Sequence, residues 1–415
     1  ELARAPACDA DPATQRARAV QTALVRTELA RLGGRDDDRA RAEAALAAVR
    51  DAPDLSDAQR SLIAYIEGDL VIGRDRAAGE RWLREAIART AQPPDDLGYL
   101  VRTRAYSFAL LALTAGRAGD FAGVLRVVGE QLAVPVAACT VAIAVQDRQS
   151  VVALADDHGA VTGAYVAHHD RPVDPAALVA PALADHLRAC GRVRVLAGAP
   201  VLGAARVLPP SIAWSFALPH TAPPTPTPAP GPALVVADPE PPAELQLPPL
   251  APYPDPPARD RQILRGADAT PGRVLAAMRD AAVIEFHTHG FIANDVSEAS
   301  YLALTPGLDH QYALTARDVA GAALTRAPLV ILGACHAATS SRSLEGGTGL
   351  AEAFLRAGAR AVIASPDAVR DREGHAVFAR VRDRVAAGDD PAVAVRDARL
   401  AARGDDWVAS VVVFE

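Results

Sequence analysis

The chain has 415 residues, enough for two or three domains with buried cores. Half of the residues are hydrophobic and the net charge is -7, so no basic surface of the kind that binds nucleic acid is expected. No apolar run approaches the roughly 18 to 20 residues that cross a membrane, and the polar N-terminus predicts no signal peptide. Because the chain begins at Glu1 and not at a methionine, we expect a fragment or a processed product.

Four cysteines are scattered along the chain without a Cys-x-x-Cys pair. This spacing argues against a disulfide scaffold or a zinc ribbon and favours a reducing cytoplasm. We therefore predict a cytoplasmic protein in which Cys8, Cys139 and Cys190 are structural or inert.

Residues 1–128 are predicted to be helical. Ala, Val and Leu recur at intervals of three and four residues, with arginine on the opposite face. Stretches starting at Gly73 and Gly116 each follow another helix, with a period of about 43 residues against the usual 34 of tetratricopeptide repeats. We interpret this region as irregular tetratricopeptide-like hairpins, which serve either to bind or sense a partner or to cap the next domain.

After this region the sequence changes to short apolar runs that alternate with amphipathic helices. The alternation predicts an α/β fold, with a mostly parallel sheet covered by helices on both faces. Residues 221–232 are rich in proline and are predicted to form a linker or loop. The later strands are predicted at 233–239, 282–290, 328–335, 359–365 and 407–414, and helices at 175–190, 259–266, 270–281, 315–324, 349–358, 374–388 and 390–403.

Two consecutive predicted strands end in groups that suit nucleophilic catalysis. One runs into His-x-His-Gly at 287–290, and the next into Gly-Ala-Cys-His at 333–336. A single helical crossover joins them, so we expect their carboxyl ends to be neighbours, where reactive groups collect in open α/β sheets. A cysteine nucleophile needs an imidazole and backbone N–H donors for the oxyanion. His289, Gly290 and Cys335 meet these needs, and the separation of 46 residues is close to the roughly 50 of caspases.

From about Leu132 to its end the chain resembles the CHAT domain, a bacterial caspase-like protease of the separase group often attached to tetratricopeptide repeats. The resemblance is carried by segments that occur in the family's order: 233–239, 263–291, 300–306, 314–319, 327–340, 347–365 and 407–415. It implies a caspase-like fold, with 129–220 as a degenerate first half and 233–415 as the catalytic half.

The resemblance also implies the roles of individual residues. His289 would be the general base or imidazolium partner and Cys335 the nucleophile, with the N–H groups of Gly290 and Cys335 as the oxyanion hole. No cofactor or metal is implied. The chain departs from the family where His336 follows the cysteine and where Pro366-Asp367 replaces a Leu-Trp pair, which leaves the substrate preference open.

Alternative readings use the same residues. His287 shares a strand face with His289, and we assign it a supporting role. A zinc site formed by His287, His289, Cys335 and His336 is one alternative, and a scaffold without catalysis is another. Asp295 and Asp367 are candidate partners for a basic substrate side chain, or ordinary loop residues.

The function predicted from these features is a regulated bacterial cysteine endopeptidase that cleaves one or a few specific proteins. Its helical module, or an activating protein bound there, would control it. By analogy with the family, the substrate would be an effector such as a gasdermin-like pore former, in antiphage defence or programmed cell death.

Overall fold

The computed structural model describes residues 11–33, 36–53, 55–90, 98–218, 231–254, 261–293, 299–339, 349–402 and 406–415. Contacts divide the chain into two compact units, Glu1–Asp120 and Phe121–Glu415. No helix in these ranges is both long enough and apolar enough to cross a membrane.

The first unit is helical in its described part, as the spacing of apolar residues predicts. Its helices are α1 Pro12–Gly33, α2 Asp36–Ala47, α3 Asp57–Ile72, α4 Arg76–Arg89 and α5 Gly98–Arg117. Ser56 caps α3 in a reciprocal capping box with Gln59, and Asp75 caps α4. Helices α3 and α4 approach each other closely at Gly79, where an added Cβ atom would lie 2.5 Å from the Cα atom of Ile72. The tetratricopeptide-like assignment itself stays a prediction.

The second unit is built around a large sheet. Its elements in chain order are α6 Phe121–Gln131, β1 Thr140–Gln146, β2 Gln149–Ala155, β3 Val161–Val166, α7 Pro181–Ala184, β4 Val193–Ala197, β5 Trp214–Phe216, β6 Ala233–Pro239, β7 Arg261–Gly266, α8 Pro271–Met278, β8 Val283–His287, β9 Gly290–Phe291, β10 Tyr301–Ala303, β11 Ala313–Thr315, α9 Ala316–Ala320, β12 Leu329–Gly333, α10 Leu350–Arg356, β13 Ala361–Ala364, α11 Asp371–Ala386, α12 Pro391–Ala401 and β14 Val412–Phe414. Most of helix α6 falls within the helical region predicted at 1–128, but the helix packs against β1, β2 and β3.

Eleven of the described strands form one sheet in the order β3-β2-β1-β4-β5-β14-β13-β12-β8-β6-β7. The pairs β1–β2, β2–β3 and β13–β14 are antiparallel, and the others are parallel. The mostly parallel sheet agrees with the predicted α/β fold. Its two halves meet where β5 pairs with β14, and there the rings of Phe216 and Phe414 stack with centroids 5.6 Å apart.

Helices cover both faces of the sheet. Alternate side chains of β8, β12 and β13 point to opposite faces, as the two-residue period of a strand requires. Ile284, Phe286, Val330 and Leu332 join a core with α8, α9 and α10, whereas Leu329, Ile331, Ala361 and Ile363 join one with α11 and α12. Glu285 and His287 alternate with Ile284 and Phe286, so they lie on the α11 and α12 face.

Two predicted helices are wrong. The described part of 259–266 is strand β7, which pairs with β6 at the edge of the sheet. A run this short fits the period of a helix as well as that of a strand, so pairing with the sheet decides its conformation. The stretch 175–190 holds only α7 and single 3-10 turns at Pro175–Ala177 and Asp185–Leu187. Pro175 and Pro181 each start a new turn and prevent one continuous helix. The predicted linker at 221–232 lies mostly outside the described residues.

The structure also corrects the interpretation of the cysteines. Cys139 and Cys190 form a disulfide, with Cα atoms 5.7 Å apart. Cys139 directly precedes β1 and Cys190 lies just before β4, and these strands are parallel neighbours. The pairing depends on strand order, which the spacing of cysteines does not reveal. Cysteine spacing therefore no longer supports the cytoplasmic location predicted from it. Cys8 lies outside the described residues.

Candidate active site

The two reactive segments follow neighbouring strands. β8 and β12 pair in parallel, with His287 opposite Gly333. Their carboxyl ends therefore lie at the same edge of the sheet, and the segments 287–290 and 333–336 leave it side by side. The predicted adjacency of the two strands is confirmed.

Gly290 lies directly against the backbone of Cys335. A Cβ atom at Gly290 would stand 2.5 Å from the carbonyl oxygen of Cys335 and 3.3 Å from the Cβ atom of Ala334. Only a residue without a side chain allows this approach. The contact brings His289-Gly290 and Cys335 together across a gap of 46 residues in the sequence.

The imidazole of His289 is oriented by a main-chain carbonyl group. Its Nε2 atom lies 2.9 Å from the carbonyl oxygen of Pro248. A carbonyl oxygen only accepts hydrogen bonds, so Nε2 carries the proton and donates it. Nδ1 is then the unprotonated nitrogen of the neutral ring, available to accept a proton.

Cys335 lies in the turn that follows β12, and among the described residues it is the free cysteine. The N–H group of Val369, just before α11, donates to Sγ at 3.4 Å. The sulfur is thus held on the α11 side of the sheet edge, and its side chain remains partly exposed.

Beneath this edge lies a buried charged network that is not predicted from the sequence. Glu285 is fully buried; its Oε1 atom lies 2.7 Å from His287 Nε2 and its Oε2 atom 2.7 Å from Arg382 Nη1. Burial raises the pKa of Glu285, but the hydrogen bonds and charges of His287 and Arg382 outweigh burial and leave that pKa below its usual value. The carboxyl group is therefore ionised, and His287 donates to it from Nε2.

His287 also belongs to an aromatic cluster. Its ring centroid lies 4.6 Å from that of His375 and 4.6 Å from that of Tyr253. Burial, reinforced by nearby His287, lowers the pKa of His375 and favours its neutral form. The sequence carries one signal of this network, namely a glutamate and a histidine within an apolar strand. Burying such residues costs free energy unless they are paired. Arg382, the partner of Glu285 on α11, is 97 residues away and carries no such signal.

The remaining candidate residues are placed differently. Asp295 lies outside the described residues. Asp367 is exposed, and its carboxylate accepts a hydrogen bond from the hydroxyl group of Ser410. Its carbonyl oxygen also accepts from the N–H group of His336 at 3.2 Å. Asp367 thus connects the turn after β12 to the loop after β13, and its predicted contact with substrate stays a prediction.

His336 has a left-handed backbone conformation, with φ of 61°, and its Nδ1 atom lies 2.8 Å from the carbonyl oxygen of Pro366. The three histidines proposed as zinc ligands therefore have different partners. Within the described ranges, no three His, Cys, Asp or Glu side chains converge as a metal site would need. The geometry does not support the zinc alternative.

Comparison with known proteins bears on the part of the chain that carries this site. No curated protein matches the chain. Residues 211–409 match the CHAT domain family, and this range includes His289, Gly290 and Cys335. The chain therefore contains a CHAT domain, a domain associated with caspase-like cysteine peptidases.

Proposed function

We propose that the protein is a cysteine endopeptidase in which Cys335 is the nucleophile and His289 the general base. The observation that carries the proposal is the contact of Gly290 with the Cys335 backbone, which joins the two reactive segments at one edge of the sheet. The hydrogen bond from Nε2 of His289 to the carbonyl oxygen of Pro248 supplies the group that orients an imidazole base.

The reaction follows from these roles. Nδ1 of His289 takes the proton of the thiol, and the thiolate attacks the carbonyl carbon of the scissile peptide bond. The N–H groups of Gly290 and Cys335 donate to the oxyanion that forms. The imidazolium then gives its proton to the leaving amine, and a thioester remains on Cys335. Water, deprotonated by His289, hydrolyses the thioester and restores the free thiol.

The wider role that we propose rests on the family resemblance and on the helical unit. Residues 1–128 would form tetratricopeptide-like hairpins that bind an activating protein, and the peptidase would cleave one or a few specific proteins. A gasdermin-like effector in bacterial antiphage defence is the substrate that the resemblance favours. The regions 129–220 and 233–415 would be the first and catalytic halves of the peptidase.

Three variants, compared with the wild type, test the catalytic roles in the full chain. A small thiol electrophile should label Cys335 in the wild type but not in Cys335→Ala. His289→Ala should slow the labelling, and any peptide cleavage, by about 10²-fold to 10⁴-fold. His336→Ala is the matched control, because that histidine lies next to the cysteine but is exposed and bonded to Pro366.

Equal effects of His289→Ala and His336→Ala would contradict the assignment of the base. If Cys335 is labelled at the same rate in His289→Ala as in the wild type, Cys335 is an ordinary thiol that His289 does not activate. In that case the alternative, a scaffold that binds partners without cleaving them, would replace the endopeptidase.

A further inference from the structure

A cavity lined by arginines lies at the edge of the sheet away from Cys335. Arg360 directly precedes β13, whereas Cys335 follows β12, and these two strands run parallel. The described residues that line the cavity are Ala138, Cys139, Arg192, Arg194, Arg360 and Glu415. Its volume is about 490 Å³, which is within the range of sites for small molecules.

The backbone that carries two of these arginines is fixed by pairing and by the disulfide. Cys139 is bonded to Cys190, which lies two residues before Arg192. The N–H group of Arg194 donates to the carbonyl oxygen of Cys139 at 2.9 Å. The start of β4 is therefore held against the start of β1 before any ligand binds, which lowers the entropy cost of binding there.

Arg192 is balanced by two carboxylates. Its Nη1 atom lies 2.9 Å from Oδ2 of Asp390, the residue that caps α12. Its Nη2 atom forms an ion pair with Oε2 of Glu415. Arg192 therefore ties the start of β4 to the start of α12 and to the residue after β14, and its charge is already met by the protein.

The other two arginines have no carboxylate partner within the described part of the chain. Arg194 donates to the carbonyl oxygen of Pro135 over a long 3.4 Å, and Arg360 keeps a buried Nε atom without a hydrogen-bond partner. Burial lowers the pKa of both guanidinium groups, and nearby Arg192 lowers the pKa of Arg194 further. Asp390 opposes the pKa shift at Arg360 but forms no ion pair with it. Two half-buried cations at one cavity thus lack negative charge and acceptors.

We propose that this cavity binds the phosphate group of a small molecule, held by Arg194 and Arg360 and bordered by Arg192. A phosphate group carries up to two negative charges and several acceptor oxygens, which suits guanidinium groups that arrive from different strands. A carboxylate has one charge and two oxygens in a plane, and a single bidentate arginine satisfies it. Because the cavity is larger than a phosphate ion, the rest of a small ligand has room beside the arginines. Binding there involves no step of the peptidase reaction.

Isothermal titration calorimetry of the full chain, in a phosphate-free buffer at constant ionic strength, tests the site. The probes are inorganic phosphate, pyrophosphate, a phosphoserine peptide and glutarate, a dicarboxylate that carries two negative charges. We expect pyrophosphate to bind with a Kd below about 1 mM, and at least about 10-fold more tightly than glutarate. It should also raise the melting temperature of the wild type, because a ligand that binds the folded state stabilises it.

The two unpaired arginines are tested by substitution. Arg194→Gln and Arg360→Gln should each weaken pyrophosphate binding by about 10-fold or more, since each removes a hydrogen bond between charged groups. Neither change takes a partner from a carboxylate of the described residues, so both variants should fold, which thermal unfolding checks. Arg188→Gln is the matched control, because Arg188 is exposed, paired with Asp185 and outside the cavity.

Glu415→Gln gives a change in the opposite direction. The carboxylate of Glu415 lines the cavity and occupies Arg192, so it competes with an incoming anion. Its removal should tighten pyrophosphate binding by about 2-fold to 5-fold. A variant that merely damages the fold would not bind more tightly.

Three outcomes would overturn this assignment. One is that neither phosphate nor pyrophosphate gives heat or a rise in melting temperature up to about 10 mM. Another is that glutarate binds as tightly as pyrophosphate, or that the phosphoserine peptide binds more tightly, since the ligand would then be a carboxylate or a phosphorylated protein. The last is that Arg194→Gln and Arg360→Gln bind pyrophosphate as well as Arg188→Gln does.

Discussion

The substitution Gly290→Ala tests the closest contact of the candidate site. The added Cβ atom would lie 2.5 Å from the carbonyl oxygen of Cys335, and an ordinary contact begins at 3.4 Å. Either the strand that holds Gly290 or the turn that holds Cys335 must therefore move by about 0.9 Å, a misplacement that can cost about 10²-fold in rate. A loss of about 10²-fold in rate corresponds to about 2.7 kcal/mol of transition-state stabilisation.

The assay measures kcat/KM on a cleaved peptide, the rate of labelling of Cys335, and thermal unfolding of the same preparations. We expect Gly290→Ala to lose about 10²-fold in kcat/KM, with a stability loss of about 1–3 kcal/mol from overpacking. Activity is measured well below the melting temperature, so that unfolding does not contribute.

Gly272→Ala is the matched control for this substitution. Gly272 is exposed in the first turn of α8, and nothing lies within 4 Å of the added Cβ atom. This variant should keep full activity and gain up to about 1 kcal/mol of stability, because alanine favours a helix over glycine. Wild-type kcat/KM and melting temperature in Gly290→Ala would refute the reasoning, since the close approach to Cys335 would then not exist.

Three further predictions concern stability. Glu285→Gln leaves Arg382 buried without its carboxylate partner and should lower the free energy of unfolding by about 3–5 kcal/mol in chemical denaturation; a loss under about 1 kcal/mol would mean that water reaches the pair. Cys139→Ser opens a disulfide whose cysteines are 51 residues apart and should cost about 2–4 kcal/mol. The wild type should lose the same amount in reductant, and equal stability with and without reductant would show that the bond does not form. Because burial and nearby His287 lower the pKa of His375, the unfolded chain takes up a proton at a pH where the folded protein does not. Stability should therefore fall as pH drops below about 6.5, and less steeply in His375→Gln. Urea unfolding between about pH 5 and 8 measures both slopes, and equal slopes would contradict this assignment.

Local patterns predict the elements on which the candidate site is built. The apolar runs that became β8 and β12 have the composition of strands buried on both faces. Helix α9 between them begins at Ala316, within the predicted helix 315–324, and Thr315 caps it. Since each strand runs directly into its reactive residues, the segments of His289 and Cys335 can be found from the sequence. Their closeness follows from parallel pairing of consecutive strands, which a single helical crossover favours.

Contacts between distant parts of the chain lie beyond this kind of prediction. Three contacts of this kind depend on strand order and on where α11 packs. They are the pairing of Cys139 with Cys190, the ion pair of Glu285 with Arg382, and the hydrogen bond from Val369 to the Cys335 sulfur. The helix predicted at 259–266 fails for a related reason, because a short segment at a sheet edge takes its conformation from the strand beside it.

The amino-acid sequence alone was sufficient to identify the α/β pattern, the helical N-terminal region and the two reactive strand ends, because each is written in a local period or a short motif. The tertiary structure decided which groups orient and surround them: the Pro248 carbonyl at His289, the Glu285 carboxylate at His287, and the Val369 N–H group at the Cys335 sulfur. Those partners come from other elements, and only packing of the folded chain brings them within hydrogen-bond distance.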